Sequence, residues 1–236
     1  MFIALLIVLL GMGFLEKQFG DDYTSDNWRL ELEQENKELQ KDLVEDDIEN
    51  SPFYDFAIST IEENNYRLEH DIMPLSNDGW SFMYFSSSFL GLVSLFTIVI
   101  AAGIVANEFS QGTIKLLLIR PIQRSIILLS KYISVLIFGF ITAVSLLLLS
   151  IGIGGILFGF EEHIPAVVVE NKEGLTHLSV LKETIYEYSF YSVNLIMITT
   201  LAFMISAVFR NNALSIGVAL FLLFTGNTVV QFFSDK

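Results

Sequence analysis

Four long stretches of the chain contain no charged residue, and they constrain the fold more than any other feature. A helix needs about 20 apolar residues to cross a hydrocarbon core of about 30 Å. Each stretch is long enough for one crossing, and its apolar residues lie all round a helix rather than on one face. The stretches are Gly79 to Asn107, Tyr132 to Phe160, Tyr188 to Phe209 and Asn211 to Ser234. The sequence therefore predicts an all-α, polytopic helical membrane protein.

A fifth apolar run, Phe2 to Leu15, is shorter. Its 14 residues would rise only about 21 Å in a helix. One interpretation is a first transmembrane helix whose cytoplasmic beginning is missing; the other is a signal peptide, which would need a positive segment before the apolar run. We expect the first, and hence about five transmembrane helices in a chain that is incomplete at both ends.

Basic residues in the short connections set the orientation, because Lys and Arg are retained on the cytoplasmic side. One connection carries Lys115, Arg120, Arg124 and Lys131, and the short turn two spans later carries Arg210. Residues 108–131 and 210–212 are therefore expected inside, and residues 16–78 and 161–187 outside. The predicted location is the cytoplasmic membrane.

The acidity of the chain is concentrated in one polar region. Residues 16–78 hold 19 of the 27 Asp and Glu residues but only 5 of the 13 Lys and Arg residues, and the whole chain carries a net charge of −14. A nucleic-acid-binding protein would need a basic face to neutralise phosphates, so no nucleic acid is expected as a partner. The absence of Cys excludes disulfides, iron–sulfur clusters and thiolate zinc sites.

The acidic region has the composition of a small helical domain. Ser25 to Asn50 predicts one helix with an apolar stripe that Asn36 interrupts, and Phe53 to His70 predicts a second. The first helix is expected to lean on its own domain or on a second copy, and a coiled coil is the alternative. At about 63 residues, the domain is near the lower limit for an independent core.

Two patterns in the outer regions resemble catalytic or metal sites only weakly. Glu62 to Arg67 matches the EExxxR pattern of intramembrane glutamate proteases, but it lies in a polar segment, and a charged helix face explains it better. The three histidines, His70, His163 and His177, do not have the short spacing of metal ligands. The chain also contains no Walker A sequence and no nucleophile elbow. We therefore predict no catalytic, cofactor-binding or metal-binding residues in this chain.

Small and polar residues within the spans predict helix packing. The pairs Gly155 with Gly159, Ala102 with Ala106 and Ala213 with Gly217 have small-xxx-small spacing, for which ordinary bundle packing is the preferred interpretation. Polar residues near the middle of the spans are expected to face a partner helix or a pathway. They are Asn194, Thr199, Thr200, Ser206 and Asn227. No Asp, Glu, Lys or Arg lies deep in a span, so an ion-driven transporter is not favoured.

The connection after the Gly79 span predicts a helical elbow. The span runs out at Glu108, Gly112 permits a bend, and Pro121 stops one helix before Arg124 and Ser125 begin the next. An interfacial helix anchored by basic residues would have a similar composition. The residues of the elbow pattern are Glu108, Phe109, Gly112, Thr113, Lys115, Leu117, Leu118, Arg120, Pro121, Arg124, Ser130 and Lys131.

This elbow resembles the segment that joins the second and third spans in the permease subunits of type-2 ABC exporters, a bacterial ABC transporter permease family. That segment has the form E-F-x-x-G-T-x-K-x-L-L-x-x-P-x-x-R followed by S-K. The resemblance implies that the elbow couples the spans to a separate ABC ATPase subunit, which would hold the ATP and magnesium. It also implies a second permease copy or homologue, and no enzymatic activity in this chain.

The resulting prediction is the membrane subunit of an ATP-driven exporter, embedded in membrane lipid. The competing interpretation is a membrane-anchored binding or sensory protein that uses its outer helical domain, and a membrane protease is a distant third. The predicted segments are a first helix (1–15), the acidic outer domain (16–78), the second helix (79–107), the coupling elbow (108–124), the third helix (125–160), an outer loop (161–187), the fourth helix (188–209) and the fifth helix (210–234).

Overall fold

The computed structural model describes residues 1–19, 27–45, 52–112, 123–160, 162–171, 174–209 and 211–234, and most of them are helical. A 3₁₀ turn, Ser87–Phe89, joins the fourth helix to the fifth. In chain order the elements are α1 (Phe2–Phe19), α2 (Trp28–Glu45), α3 (Pro52–His70), α4 (Gly79–Ser86), α5 (Leu90–Ser110), α6 (Arg124–Leu157), β1 (Ala166–Asn171), β2 (Gly174–Ser179), α7 (Val180–Val208) and α8 (Asn212–Ser234).

Among the described residues, four helices are long and apolar enough to cross a membrane, which agrees with the membrane-spanning helices that the sequence predicted. They are Phe2–Phe19, Gly79–Ser110, Ser125–Leu157 and Val180–Val208. The first extends four residues beyond the apolar run that ends at Leu15, and its 18 residues rise about 27 Å. Helix α8 is apolar from Asn212 to Thr225.

The helices differ in how much of their apolar surface the protein itself covers. In the most apolar part of Gly79–Ser110, 56% of the residues are buried, against 28% in Ser125–Leu157 and 33% in Val180–Val208. The latter two helices expose large apolar side chains such as Leu148 and Phe190. Apolar surface of this extent is stable against lipid and not against water. The apolar helices thus suggest an association with membranes.

The chain divides into two compact units, and the first comprises residues 1–5, 86–148 and 187–236. Its core is built from small and β-branched side chains of α5, α6, α7 and α8. Small residues allow helix backbones to approach closely. The buried core residues are Ile98, Ala101, Ala102, Val135, Ala202, Ile205 and Ala219.

Polar side chains contribute to the packing of this first unit. The Ser206 hydroxyl of α7 accepts hydrogen bonds from the backbone N–H groups of Val105 and Ala106 in α5, both at 3.1 Å. Thr200 of the same helix lies 2.7 Å from the Tyr132 hydroxyl of α6. Ser206 and Thr200 therefore face partner helices, as expected.

The remaining small and polar residues of the spans differ from one another in burial and in hydrogen bonding. The pair Ala102 and Ala106 is fully buried, as the packing interpretation requires, whereas Ala213 and Gly217 are exposed. Thr199 is fully buried, and its hydroxyl has no hydrogen-bond partner among the described residues. Asn194 is exposed on α7, and the side chain of Asn227 lies outside the described residues. Spacing alone therefore did not decide which small or polar residues meet a partner helix.

The second unit comprises residues 6–85 and 149–186 and contains the paired helices α2 and α3. Trp28 and Leu32 of the α2 apolar stripe are buried. Asn36, which interrupts the stripe, is also buried, and it accepts a hydrogen bond from Asn64 of α3 at 3.0 Å. Asn64 also donates to Glu35 at 3.1 Å. Helix α2 thus leans on its own domain, and the polar interruption is a contact between the two helices.

The outer loop predicted over residues 161–187 contains regular structure. Strands β1 and β2 form an antiparallel hairpin in which Val167 pairs with Leu178, and Gly174 adopts a φ of +115°. The run Val167 to Val169 has the β-branched composition typical of a strand. The all-α prediction missed this hairpin, so the fold is mostly helical rather than purely helical.

Backbone contact joins the start of α4 to the end of α6 within the second unit. The Gly79 N–H donates a hydrogen bond to the Gly159 carbonyl at 2.8 Å. Gly159 has a φ of +78°, the left-handed conformation that commonly ends a helix. Beside it, the Trp80 and Phe160 rings lie 4.7 Å apart. Of the predicted Gly155 and Gly159 pair, Gly159 makes the backbone contact and Gly155 packs against Phe160.

We predict that Gly79→Ala destabilises the protein, because the added Cβ would lie 2.5 Å from the Gly159 carbonyl oxygen. Overpacking of this kind costs about 1–3 kcal/mol. Thermal unfolding of the purified protein in detergent measures the effect. Gly91→Ala is the matched control, since Gly91 lies in the same span and its Cβ would meet no atom within 4 Å. Equal melting temperatures for the two variants would contradict the contact.

Candidate functional site

The predicted elbow begins where α5 ends, and local backbone chemistry explains the end of the helix. Gln111 N–H donates to the Asn107 carbonyl at 2.9 Å, and Gly112 N–H donates to the Phe109 carbonyl at 3.2 Å. Gly112 then takes a φ of +70°, which glycine adopts without steric cost. The helix continues to Ser110 and turns at Gly112. This is the bend that the sequence predicted at Gly112.

The elbow ends where α6 begins. The Gln123 carbonyl accepts hydrogen bonds from the N–H groups of Ile126 and Ile127, at 3.1 and 3.4 Å, so Gln123 occupies the cap position. Helix α6 starts at Arg124, as expected from the Pro121 stop. The structure describes the backbone of Arg124, and its side chain lies outside the described part. The elbow residues Thr113, Lys115, Leu117, Leu118, Arg120 and Pro121 also lie outside the described residues, as does Arg210.

An ion pair joins the end of α5 to α6, beside the elbow. The Lys131 ammonium group binds the Glu108 carboxylate and also donates to the Ile104 carbonyl of α5 at 3.3 Å. The side chains are only 15% and 26% exposed for Lys131 and Glu108, respectively, so the pair is largely shielded from water. Such a pair is strongly destabilising to break from one side, because the remaining charge stays buried.

Glu108 and Lys131 both belong to the elbow pattern, but the sequence alone did not predict that they pair. In the structure the Glu108 carboxylate binds Lys131. The opposite charges of the two residues, one on each side of the connecting segment, were the available signal in the sequence. Their pairing links α5 to α6 directly beside the predicted coupling segment.

A cleft opens beside the first turn of the elbow. It has a volume of about 450 Å³ and lies between α5 and the start of α8. Gly103 lets the two helices approach, since a Cβ there would lie 3.1 Å from Asn212 Oδ1. The sequence did not indicate this cleft, because its two walls are distant in the chain. The lining residues are Val99, Ile100, Gly103, Ile104, Asn107, Glu108, Gln111, Asn212 and Ile216.

The EExxxR segment has a structural explanation. Glu63 Oε1 accepts hydrogen bonds from Nε and Nη2 of Arg67 at 3.0 and 2.7 Å, one turn apart on α3. Arg67 Nη1 also donates to the Met73 carbonyl at 3.4 Å, and the residue is buried. Glu62 is exposed on another face. The segment therefore fixes the end of α3, which agrees with the charged-helix interpretation and not with a protease dyad.

The histidines are distributed unevenly over the outer regions. His163 is exposed near the end of α6, whereas His70 and His177 lie close to each other, with ring centroids 6.2 Å apart. Within the described ranges, no group of three or more His, Cys, Asp or Glu side chains could hold a metal ion.

The chain is similar to one protein family and to two proteins of Bacillus subtilis, one of which is described as a membrane protein. The family described as "Protein of unknown function (DUF2705)" matches residues 55–236. "Uncharacterized protein YhcI" of Bacillus subtilis (strain 168) is 40% identical over 235 residues, which cover 98% of this chain and 73% of that protein. "Uncharacterized membrane protein YdbK" of the same organism is 32% identical over 140 residues, covering 59% and 52%. No solved structure matches the chain.

We predict that Glu108→Lys destabilises the protein, because it places two ammonium groups where an ion pair now lies. Loss of a partly buried pair of this kind costs about 2 kcal/mol or more. The melting temperature should fall by about 4–8 °C. The double variant Glu108→Lys with Lys131→Glu should recover much of that loss.

The matched control is Glu33→Lys, which makes the same charge change at an exposed position of α2. Its melting temperature should stay within about 1 °C of the unchanged protein, since exposed charges contribute little. If the double variant melts no higher than Glu108→Lys alone, the pair does not fasten the two helices.

Proposed function

Because the chain belongs to the DUF2705 family of proteins of unknown function, we propose its role from its own residues: it is the membrane-spanning permease subunit of an ATP-driven ABC exporter. The single observation that carries the proposal is the elbow. Its residue pattern from Glu108 to Lys131 is similar to that of type-2 exporter permeases in both type and spacing. The bounds of α5 and α6 agree with a short connecting segment at that place.

Two features that the sequence lacks support a partnership with an ATPase as the source of energy. The chain has no Walker A sequence and no charged residue deep in the apolar stretches of α5, α6 and α7. An ion-driven transporter normally needs such a charge. In the proposed complex, a separate ABC ATPase subunit binds ATP and magnesium, and a second permease copy or homologue completes the pathway. The present chain performs no hydrolysis and converts nucleotide-driven closure of the ATPase into movement of its spans.

The proposed topology has five spans in a bacterial cytoplasmic membrane. The helices are α1, α4 together with α5, α6, α7 and α8. The distribution of Lys and Arg supports an inside position for residues 108–131 and an outside position for residues 16–78 and 161–187. The α2 and α3 pair and the β1 and β2 hairpin would then lie outside the cell.

Cysteine labelling tests this topology. The chain contains no Cys, so a single introduced thiol is the only one to react. Lys41 and Gln123 are both exposed, and the proposal puts them on opposite sides of the membrane. An impermeant maleimide should label Lys41→Cys in intact cells and Gln123→Cys only after permeabilisation. Equal labelling of both in intact cells would refute the orientation.

Photo-crosslinking tests the coupling role. A photoreactive phenylalanine analogue replaces Leu117 in the elbow, and in a matched control it replaces Ile156, which is 85% exposed at the other end of α6. After irradiation of cells, mass spectrometry should identify an ATPase with a Walker A sequence bound to the Leu117 site and not to the Ile156 site. An interfacial helix that only anchors the chain would crosslink to lipid at both sites. That outcome would favour the membrane-anchored binding or sensory protein.

A further inference from the structure

Three ring side chains from two separate elements meet in the second unit. Tyr66 and His70 lie in the last turns of α3, and His177 lies in β2. The Tyr66 and His70 rings are stacked with centroids 4.0 Å apart, and the His177 ring lies 6.3 Å from the first and 6.2 Å from the second. Both histidines are exposed. The cluster therefore brings two imidazoles together at a surface that an ion can reach.

Hydrogen bonds engage the same ring nitrogen, Nδ1, in both histidines. His70 Nδ1 lies 3.0 Å from the Tyr66 carbonyl oxygen. A carbonyl can only accept, so His70 donates from Nδ1, and in the neutral ring Nε2 carries the lone pair. His177 Nδ1 lies 3.2 Å from the Tyr66 hydroxyl, which can accept in the same way. Metal-binding histidines typically donate their other ring N–H to a carbonyl or a similar group, which orients the ring.

The spacing of the rings suits a single ion. An imidazole nitrogen lies about 2.1 Å from a bound Zn²⁺, which puts the ring centroid about 3.2 Å from the ion. Two rings on one ion then have centroids about 5 Å apart in tetrahedral geometry and about 6.4 Å apart when they lie opposite each other. The observed separation of 6.2 Å falls within this range.

We propose that His70 and His177 form a two-imidazole binding site for a divalent transition-metal ion, with Zn²⁺ and Ni²⁺ as representative ions. Imidazole favours such ions over Mg²⁺ and Ca²⁺, which prefer oxygen ligands. Water completes the coordination, since the described residues offer no third ligand of the His, Cys, Asp or Glu type. The surrounding region has 19 acidic residues against 5 basic ones, which raises the local concentration of cations.

Spacing along the chain could not indicate this site. His70 and His177 belong to segments that are far apart in the sequence, and only the packing of the hairpin against α3 brings them together. An ion bound here would link β2 to α3. The proposal does not depend on the exporter function, because it concerns only these two elements.

The test is isothermal titration calorimetry of the full chain in detergent, with Zn²⁺ and Ni²⁺ as the titrated ions. We expect one ion per chain with a Kd on the order of 10 µM, weaker than a four-ligand structural zinc site. His70→Gln and His177→Gln should each weaken binding at least tenfold. His163→Gln, which changes the exposed histidine outside the cluster, should bind as the unchanged protein does, and Mg²⁺ should not compete.

A second measurement guards against variants that fail to fold. Diethyl pyrocarbonate modifies accessible histidine nitrogens, and mass spectrometry reports each site in the unchanged protein. Saturating Zn²⁺ should reduce modification of His70 and His177 at least fivefold and leave that of His163 the same. Equal modification with and without Zn²⁺, or equal affinity in the two cluster variants and the unchanged protein, would overturn the site.

Discussion

A hydrocarbon core offers no water to hydrogen-bond a peptide group, and each unsatisfied group there costs several kcal/mol. A chain that enters such a core must therefore satisfy its backbone within each span, and here it does so with long helices. Side-chain hydroxyls in the spans face the same cost when they lack a hydrogen bond. The Thr97 and Thr142 hydroxyls donate to carbonyls one turn earlier in their own helices, both at 2.7 Å. The Ser206 hydroxyl also accepts bonds from α5. These hydroxyls thus pair locally or join helices, whereas the Thr199 hydroxyl has no hydrogen-bond partner among the described residues.

Features that depend on neighbouring residues could be predicted from the sequence. The apolar stretches gave the helices that could span a membrane, because hydropathy is a local property. The turn at Gly112 and the start of α6 at Arg124 also followed from local chemistry, since glycine and proline act on their own backbone. Helix bounds were less accurate where polar residues continue a span. Helix α7, for example, begins at Val180 and not at Tyr188.

Features that depend on contacts between distant segments could not be predicted. Glu108 and Lys131 carried a visible signal in their opposite charges, but only the approach of α5 and α6 pairs them. Asn36 was read as an interruption of an apolar stripe, yet Asn64 of α3 makes it part of the helix contact. Such a buried polar contact adds little net stability, but it disfavours other alignments of the two helices, because these would leave the amides unpaired. The hairpin was missed because its β-branched run is short.

The position of the Glu108 and Lys131 pair bears on how the proposed coupling would work. The elbow can transmit a displacement from a partner only if its two ends move together with α5 and α6. A partly buried ion pair at the base of the elbow resists separation of α5 and α6, because separation would leave each charge poorly solvated. Lys131 also donates to the Ile104 carbonyl, which attaches the base to the body of α5. Helix α5 carries Ile98, Ala101 and Ala102 of the core. In the proposed exporter, displacement of the elbow would therefore move this core through α5, with α6 following, rather than open a gap between the two helices.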